Sequence, residues 1–201
     1  MRLVIVGHGW IAAQLLKDRL LLGDKVLAVL PPTEADRLAE AACAFGIRVT
    51  PAPRRVGADC IPDGTDVILA AHAHATIGAD ARMQARYGAL GYHPSLLPRH
   101  RGMDAVRWTL RAGDAIAGGA TYWLDDGMDT GPIAAQEFCF VLPGDDAATL
   151  WRRDLAPLGL RLFRQTLELL SRGIVMARPQ LEAAATLAPR LLDPSEIEPT
   201  T

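Results

Sequence analysis

Three apolar runs constrain the folding of this chain more than anything else in it. Arg2-Leu3-Val4-Ile5-Val6, Val26-Leu27-Ala28-Val29-Leu30 and Asp66-Val67-Ile68-Leu69-Ala70-Ala71 are continuous rather than alternating. Successive side chains of a strand point to opposite faces, so a run apolar throughout must be covered on both. Between the first two runs Ile11, Leu15, Leu16 and Leu20 recur at helical spacing, and Gly23-Asp24 stops the helix. Strand, helix, strand in that order is a crossover unit, which is right-handed in a parallel sheet. The expected fold is therefore α/β: an open, mostly parallel twisted sheet with helices on both faces. Such sheets bind ligands at the carboxyl ends of their central strands.

The remaining pattern extends this plan. Thr33 is placed to cap a helix running through Ala44, with Asp36 at the acidic position of a capping box. Ile47-Arg48-Val49 is a short strand. Residues 51–64 carry Pro51, Pro53, Gly57, Pro62 and Gly64 and read mostly as loop. A short helix (Ala79 to Arg86), a strand (Ala89 to Tyr92) and a helix (Met103 to Ala112) follow. Two further strands (Gly119 to Leu124, Ile133 to Leu142) lead to a long amphipathic helix from Ala147 to Arg172. Pro157 should kink or break it. Residues 1–175 then form one domain, and 176–201 a C-terminal tail packed on it or fraying from it.

Composition narrows the function. The net charge is −2, so nothing favours nucleic acid or an anionic membrane as partner; a small-molecule substrate fits better. Three scattered cysteines suggest neither a disulfide framework nor a zinc cluster, and point to the reducing cytoplasm. No apolar run is long enough to span a bilayer.

Chemistry concentrates in two stretches. Gly91-Tyr92-His93-Pro94-Ser95-Leu96-Leu97-Pro98-Arg99-His100-Arg101-Gly102 puts a histidine just after a strand, in a segment whose prolines stop regular structure. Asp125-Asp126-Gly127-Met128-Asp129-Thr130-Gly131-Pro132 is a glycine-punctuated acidic loop after another strand. A histidine and a carboxylate on two such loops make an acid/base pair. Gly7-His8-Gly9 resembles half a dinucleotide fingerprint, with Ala12 in its third position. However, Leu30-Pro31-Pro32 stands where its acidic residue belongs, so the alternative is a tight turn whose free amides face an anion. His72 and His74 share one face of an extended chain. A metal site is conceivable there, but only Asp80 lies near in sequence to complete it. Pocket lining or solvent exposure is the stronger expectation, and no resident metal is expected.

Together, His-Pro-Ser-Leu-Leu-Pro-x-x-Arg-Gly (93–102) and Asp-x-Gly-x-Asp-Thr-Gly (125–131) resemble the folate-dependent formyltransferase family. The look is closest to the hydrolase domain of 10-formyltetrahydrofolate dehydrogenase. Weaker agreement runs from Met1 to about residue 170, and Ala185 to Arg190 is similar to the family's post-domain segment. The resemblance implies a Rossmann-related sheet, 10-formyltetrahydrofolate as formyl donor, and water, a phosphorylated amine or an amino-sugar nucleotide as acceptor. A non-catalytic folate-binding protein is the alternative. His93 and Asp129 would be catalytic. The pterin would lie against Arg86, Tyr87, Gly88, Ala89, Leu90, Gly91 and Tyr92, and against Asp125, Asp126, Gly127 and Met128. The acceptor would meet Gly7, His8 and Gly9, with Ser95 as a local cap or a donor to the site. Arg101 would clamp a phosphate or the folate glutamate, or else be an ordinary surface arginine. Most transferases of the family carry Asn two residues before the histidine; Gly91 stands there in this chain.

Overall fold

The computed structural model describes residues 1–191. In chain order the elements are β1 (Arg2–Gly7), α1 (Gly9–Leu21), β2 (Lys25–Leu30), α2 (Arg37–Ala44), β3 (Arg48–Val49), β4 (Arg55–Val56), β5 (Val67–Ala71), β6 (Thr76–Ile77), α3 (Ala79–Gln84), β7 (Ala89–His93), α4 (Ala105–Arg111), β8 (Ile116–Trp123), β9 (Ile133–Phe140), α5 (Ala147–Leu150) and α6 (Ala156–Ser171). Seven strands form one sheet in the order β3-β2-β1-β5-β7-β8-β9. The five from β3 to β7 are parallel; β8 then adds antiparallel to β7, and β9 antiparallel to β8. The expected fold class is the observed one.

The alternation hidden in β1 explains its composition. Leu3 and Ile5 join α1, α2 and Phe163 of α6 on one face of the sheet. Val4 and Val6 join Val56, Ile61, Ile77 and Ala81 on the other. Leu3, Val4 and Ile5 are fully buried, and complete burial of side chains of this size contributes about 1.5–3 kcal/mol each.

Local details depart from expectation where tertiary contacts outbid local signals. Thr33 does not cap α2. Asp36 does, its carboxylate accepting from Leu38 N at 2.8 Å, so the helix starts later than expected. The Pro/Gly-rich stretch after residue 51 contains β4, which pairs with β6 in a small second sheet. The long C-terminal helix is interrupted by a π-helical turn over Trp151–Leu155, directly before Pro157 near the start of α6. The chain stays helical through Pro157, so the disturbance expected at the proline is a widened π-helical turn before it and not a break.

After α6 the chain returns as an extended strap across both motif loops. Arg178 and Ile133 exchange two backbone hydrogen bonds, and Arg101 exchanges backbone bonds with Thr186 and Ala188. Ala188 is completely buried. The end of the expected tail, from residue 192 on, lies outside the described residues.

Candidate active site

His93 closes β7, and its loop returns under it. His93 Nε2 lies 2.7 Å from the His100 carbonyl oxygen. A carbonyl only accepts, so Nε2 carries the hydrogen and Nδ1 is left to exchange protons. Nδ1 faces Asp129 Oδ2 at 3.4 Å. The ring is thus oriented by its own loop, and the carboxylate stands beside its second nitrogen, where a proton can be held or passed on. The His100 ring is anchored in turn by Asp114 at 2.8 Å, which also takes the Arg99 guanidinium on both oxygens at 3.0 Å. Burial works against the Asp114 charge, but the hydrogen bonds from His100 and Arg99 outweigh it and hold its carboxyl below the usual range.

Asp129 sits at φ 55°, a left-handed conformation uncommon outside glycine that marks a constrained position. Tyr122 Oη donates to its Oδ1 at 2.5 Å and Gly102 N to its Oδ2 at 2.8 Å. Withdrawal from water, and then the Asp129 charge, push the Tyr122 phenol well above its ordinary range. Two residues on, Gly131 passes so close to the Trp123 carbonyl that an added Cβ would lie 1.7 Å from it. This is why the motif demands glycine there. Gln180 of the strap donates to the carbonyls of Asp129 and Gly131 at 2.8 and 2.7 Å, while its Oε1 accepts from Arg101.

His93, Asp129, Gly91, Tyr92, Asp125, Asp126, Gly127 and Met128 all line one cleft of about 930 Å³, together with His72, His74 and Trp151. Arg86, Tyr87, Gly88, Ala89 and Leu90 do not. The backbones of Arg86 and Tyr87 bond to Thr65 and Asp66, just before β5. At about 3.3 Å per strand residue, that is the far end of the sheet from the cleft. The Tyr92 ring belongs to the core, with its hydroxyl donating to the Leu155 carbonyl at 2.6 Å.

Other expected binding groups are engaged by the chain itself. Ser95 donates to the Arg99 carbonyl at 2.6 Å and is a local cap. Arg101 is 5% exposed and forked onto Gln180 and Glu182, with Glu182 at 2.7 Å, so it locks the strap rather than facing the cleft. Asp125 organises its own loop by accepting from Gly127 N and Thr130 Oγ1. Asp126 pairs with Arg82 at 2.5 Å. At the first turn, the Gly9 amide that an anion would take is bonded to both oxygens of Asp36, at 3.0 and 3.2 Å.

The turn's His8 instead meets His72 and His74. Ring centroids stand 4.0 and 4.4 Å from His8 and 5.3 Å from each other. His8 Nδ1 lies 3.0 Å from the His72 carbonyl oxygen. Partial withdrawal of the rings from solvent, followed by the neighbouring imidazoles, lowers both His72 and His8.

Tyr122 is the residue that sequence reasoning missed. It pairs with Gly91 across β7 and β8. A Cβ at position 91 would stand 3.0 and 3.2 Å from the Tyr122 ring and 2.7 Å from Leu124. The tyrosine therefore occupies the room that an asparagine at 91 would need. Only the strand register reveals this.

Residues 52–161 match the family model described as formyl transferase. Over 101 residues, half of the chain, the sequence is 48% identical to cytosolic 10-formyltetrahydrofolate dehydrogenase of Mus musculus. Over 92% of the chain it is 33% identical to the mitochondrial enzyme of that name from the same species. These alignments span 11% and 22% of the relatives' own length. Among solved structures, an N-formyltransferase from Helicobacter canadensis, in complex with folinic acid and dTDP-3-aminofucose, superposes with a TM-score of 0.78. It is 17% identical, over 98% of this chain and 72% of that one. Glycinamide ribonucleotide transformylase 1 from Symbiobacterium toebii gives 0.75 at 23% identity, over 90% and 93%. At such identities the structural likeness shows the fold alone.

Proposed function

The chain belongs to the formyl transferase family, and from that premise we propose that it hydrolyses 10-formyltetrahydrofolate to tetrahydrofolate and formate, using His93 and Asp129. The observation that carries the reading is the commitment of His93 Nε2 to the His100 carbonyl, which leaves Nδ1 as the proton-exchanging atom with Asp129 at 3.4 Å. A water held by Asp129 attacks the formyl carbon. The new C–O bond forms as the carbonyl electron pair moves onto oxygen, and the water's proton passes to the carboxylate. A proton on His93 Nδ1 stabilises that oxyanion and then follows the electron pair of the breaking C–N bond onto the folate nitrogen. Return of the Asp129 proton to Nδ1 resets the pair, and the product leaves as formate with one proton released to solvent. Tyr122 and Gly102 N orient Asp129 for this exchange.

Water is favoured over a phosphorylated amine because Asp36 already occupies the first helix amide of the Gly7-His8-Gly9 turn. The test is incubation with 10-formyltetrahydrofolate alone, following formate and tetrahydrofolate. Turnover in the wild type, lost in His93→Ala and in Asp129→Asn, is the expected result. Folate binding without release, or release only after an amine is added, overturns hydrolysis; in the second case transfer is the activity.

A further inference from the structure

The three imidazoles at the first turn are unused by the chemistry above. We propose that His8, His72 and His74 form a site for one divalent transition-metal ion of the zinc class, with a fourth position open to the cleft. One nitrogen from each residue lies within 4.8 Å of those of the other two. A tetrahedral ion with metal–nitrogen bonds of about 2.0–2.1 Å spaces its ligand nitrogens about 3.3 Å apart, so side-chain rotation of about 1.5 Å closes the set.

The placement follows from the sheet. His8 follows β1 and His72 follows β5. These strands are neighbours in parallel register, with Gly7 opposite Ala71, at the point where the strand order reverses. His72 holds φ 57°, left-handed like His100 and Asp129. The His8 ring carries a further mark of a metal ligand. Its Nδ1–H donates to the His72 carbonyl at 3.0 Å, which fixes the tautomer and leaves Nε2 as a lone-pair donor. The rings of His72 and His74 donate and accept no hydrogen bond among the described residues; both are exposed and face the cleft, with their ring nitrogens open to an incoming partner. Charge points the same way. Asp36 fills the helix amide that an anion would use and adds a negative charge beside the rings. Three imidazoles without a carboxylate ligand suit zinc, copper, nickel or iron rather than magnesium or calcium. Three protein ligands and one open position is the stoichiometry of a site that binds a further molecule, not of a closed structural centre. The open position takes water or a donor atom of whatever enters that end of the cleft.

The inference does not rest on the formyl reading, because its test contains no folate. The full chain, stripped with a chelator, is titrated with Zn²⁺ by calorimetry and with Co²⁺ by visible absorption. One ion per chain at micromolar affinity or tighter, with the absorption of tetrahedral Co²⁺, is expected. His8→Ala, His72→Ala and His74→Gln each weaken it at least tenfold, and His93→Ala leaves it unchanged. Thermal melts confirm that each variant is folded, and a variant that does not fold is replaced by Gln or Ala at the same position. Absence of binding below millimolar, or affinity unchanged in all three ligand variants, overturns the proposal. So does binding of inorganic phosphate without metal, abolished by the same variants, which would make the cluster an anion cradle.

Discussion

The two histidine-bearing walls of the cleft are built on opposite principles. Around His93 the chain supplies its own partners. Nε2 has a carbonyl, both oxygens of Asp129 have donors, and the strap's Gln180 holds the loop that carries Asp129. At His8, His72 and His74 three rings converge, and among the described residues only one ring nitrogen is tied to the protein. A wall whose polar groups are already oriented changes protonation with little rearrangement, which is what acid/base chemistry needs. A wall of uncommitted lone pairs is suited to a partner from outside. The two also fold differently: the first is one continuous loop closed by a strap, the second a meeting of two strand ends.

The sharpest break between the walls is catalytic. His93→Ala should lower formate release by about 10²–10⁴-fold, the usual contribution of a positioned acid/base, while metal affinity stays at the wild-type value. Parallel turnover and calorimetry on the same preparation read both. Next in size is the strap. Arg101→Ala removes a buried guanidinium and frees Gln180, so unfolding stability should fall by about 2–3 kcal/mol in a urea titration. That is below the usual cost of breaking a buried ion pair, about 3–5 kcal/mol, because Glu182 is 70% exposed and rehydrates easily. The His8 wall has no contact with the strap among the interactions described, so its metal binding should survive.

A subtler test concerns Gly91. Gly91→Asn forces the new side chain against Tyr122 and Leu124 and should cost about 1–3 kcal/mol by overpacking. Adding Tyr122→Ala should recover part of that loss, giving a coupling of the sign expected for two side chains sharing one space. The smallest effect is a pH dependence of the His93 wall. Asp114 has a depressed carboxyl in the fold, so between its folded value and the ordinary carboxylate value of about 3.9 the unfolded chain binds more protons. Its contribution is complete above that value and drains away as the pH falls through the folded one. Asp114→Asn should be less stable at neutral pH and should lose less than the wild type on acidification, as compared by urea midpoints.

How legible all this was depends on the range over which each feature is encoded. The layers of the sheet follow from local runs: Leu3-Val4-Ile5-Val6 feeds both cores because side chains alternate, and no distant partner is needed to see that. His93 and Asp129 stood out because each sits in a compact motif. The misplaced features share one cause. Thr33 looked like the cap of α2, yet Asp36 takes that role while also binding Gly9, a residue far away in sequence. Arg101 looked like a free clamp because its partners, Gln180 and Glu182, lie some eighty residues later. Arg86 to Leu90 looked like a ligand-binding stretch because they are near His93 in sequence, but an extended strand carries them toward the other end of β7.

By itself the sequence determined the α/β class, the two-sided burial of the central strands, and the two loops that carry His93 and Asp129. These depend on periodicities and turn residues that act within a few positions. Tertiary structure alone decided that Tyr122 stands opposite Gly91, that the strap binds the motif loops together, and that His8 meets His72 and His74. Each depends on strand order and register. That order is chosen by packing over the whole sheet, and the partners it brings together, 31 positions apart for Gly91 and Tyr122 and 64 for Gly7 and Ala71, are beyond the reach of local sequence signals.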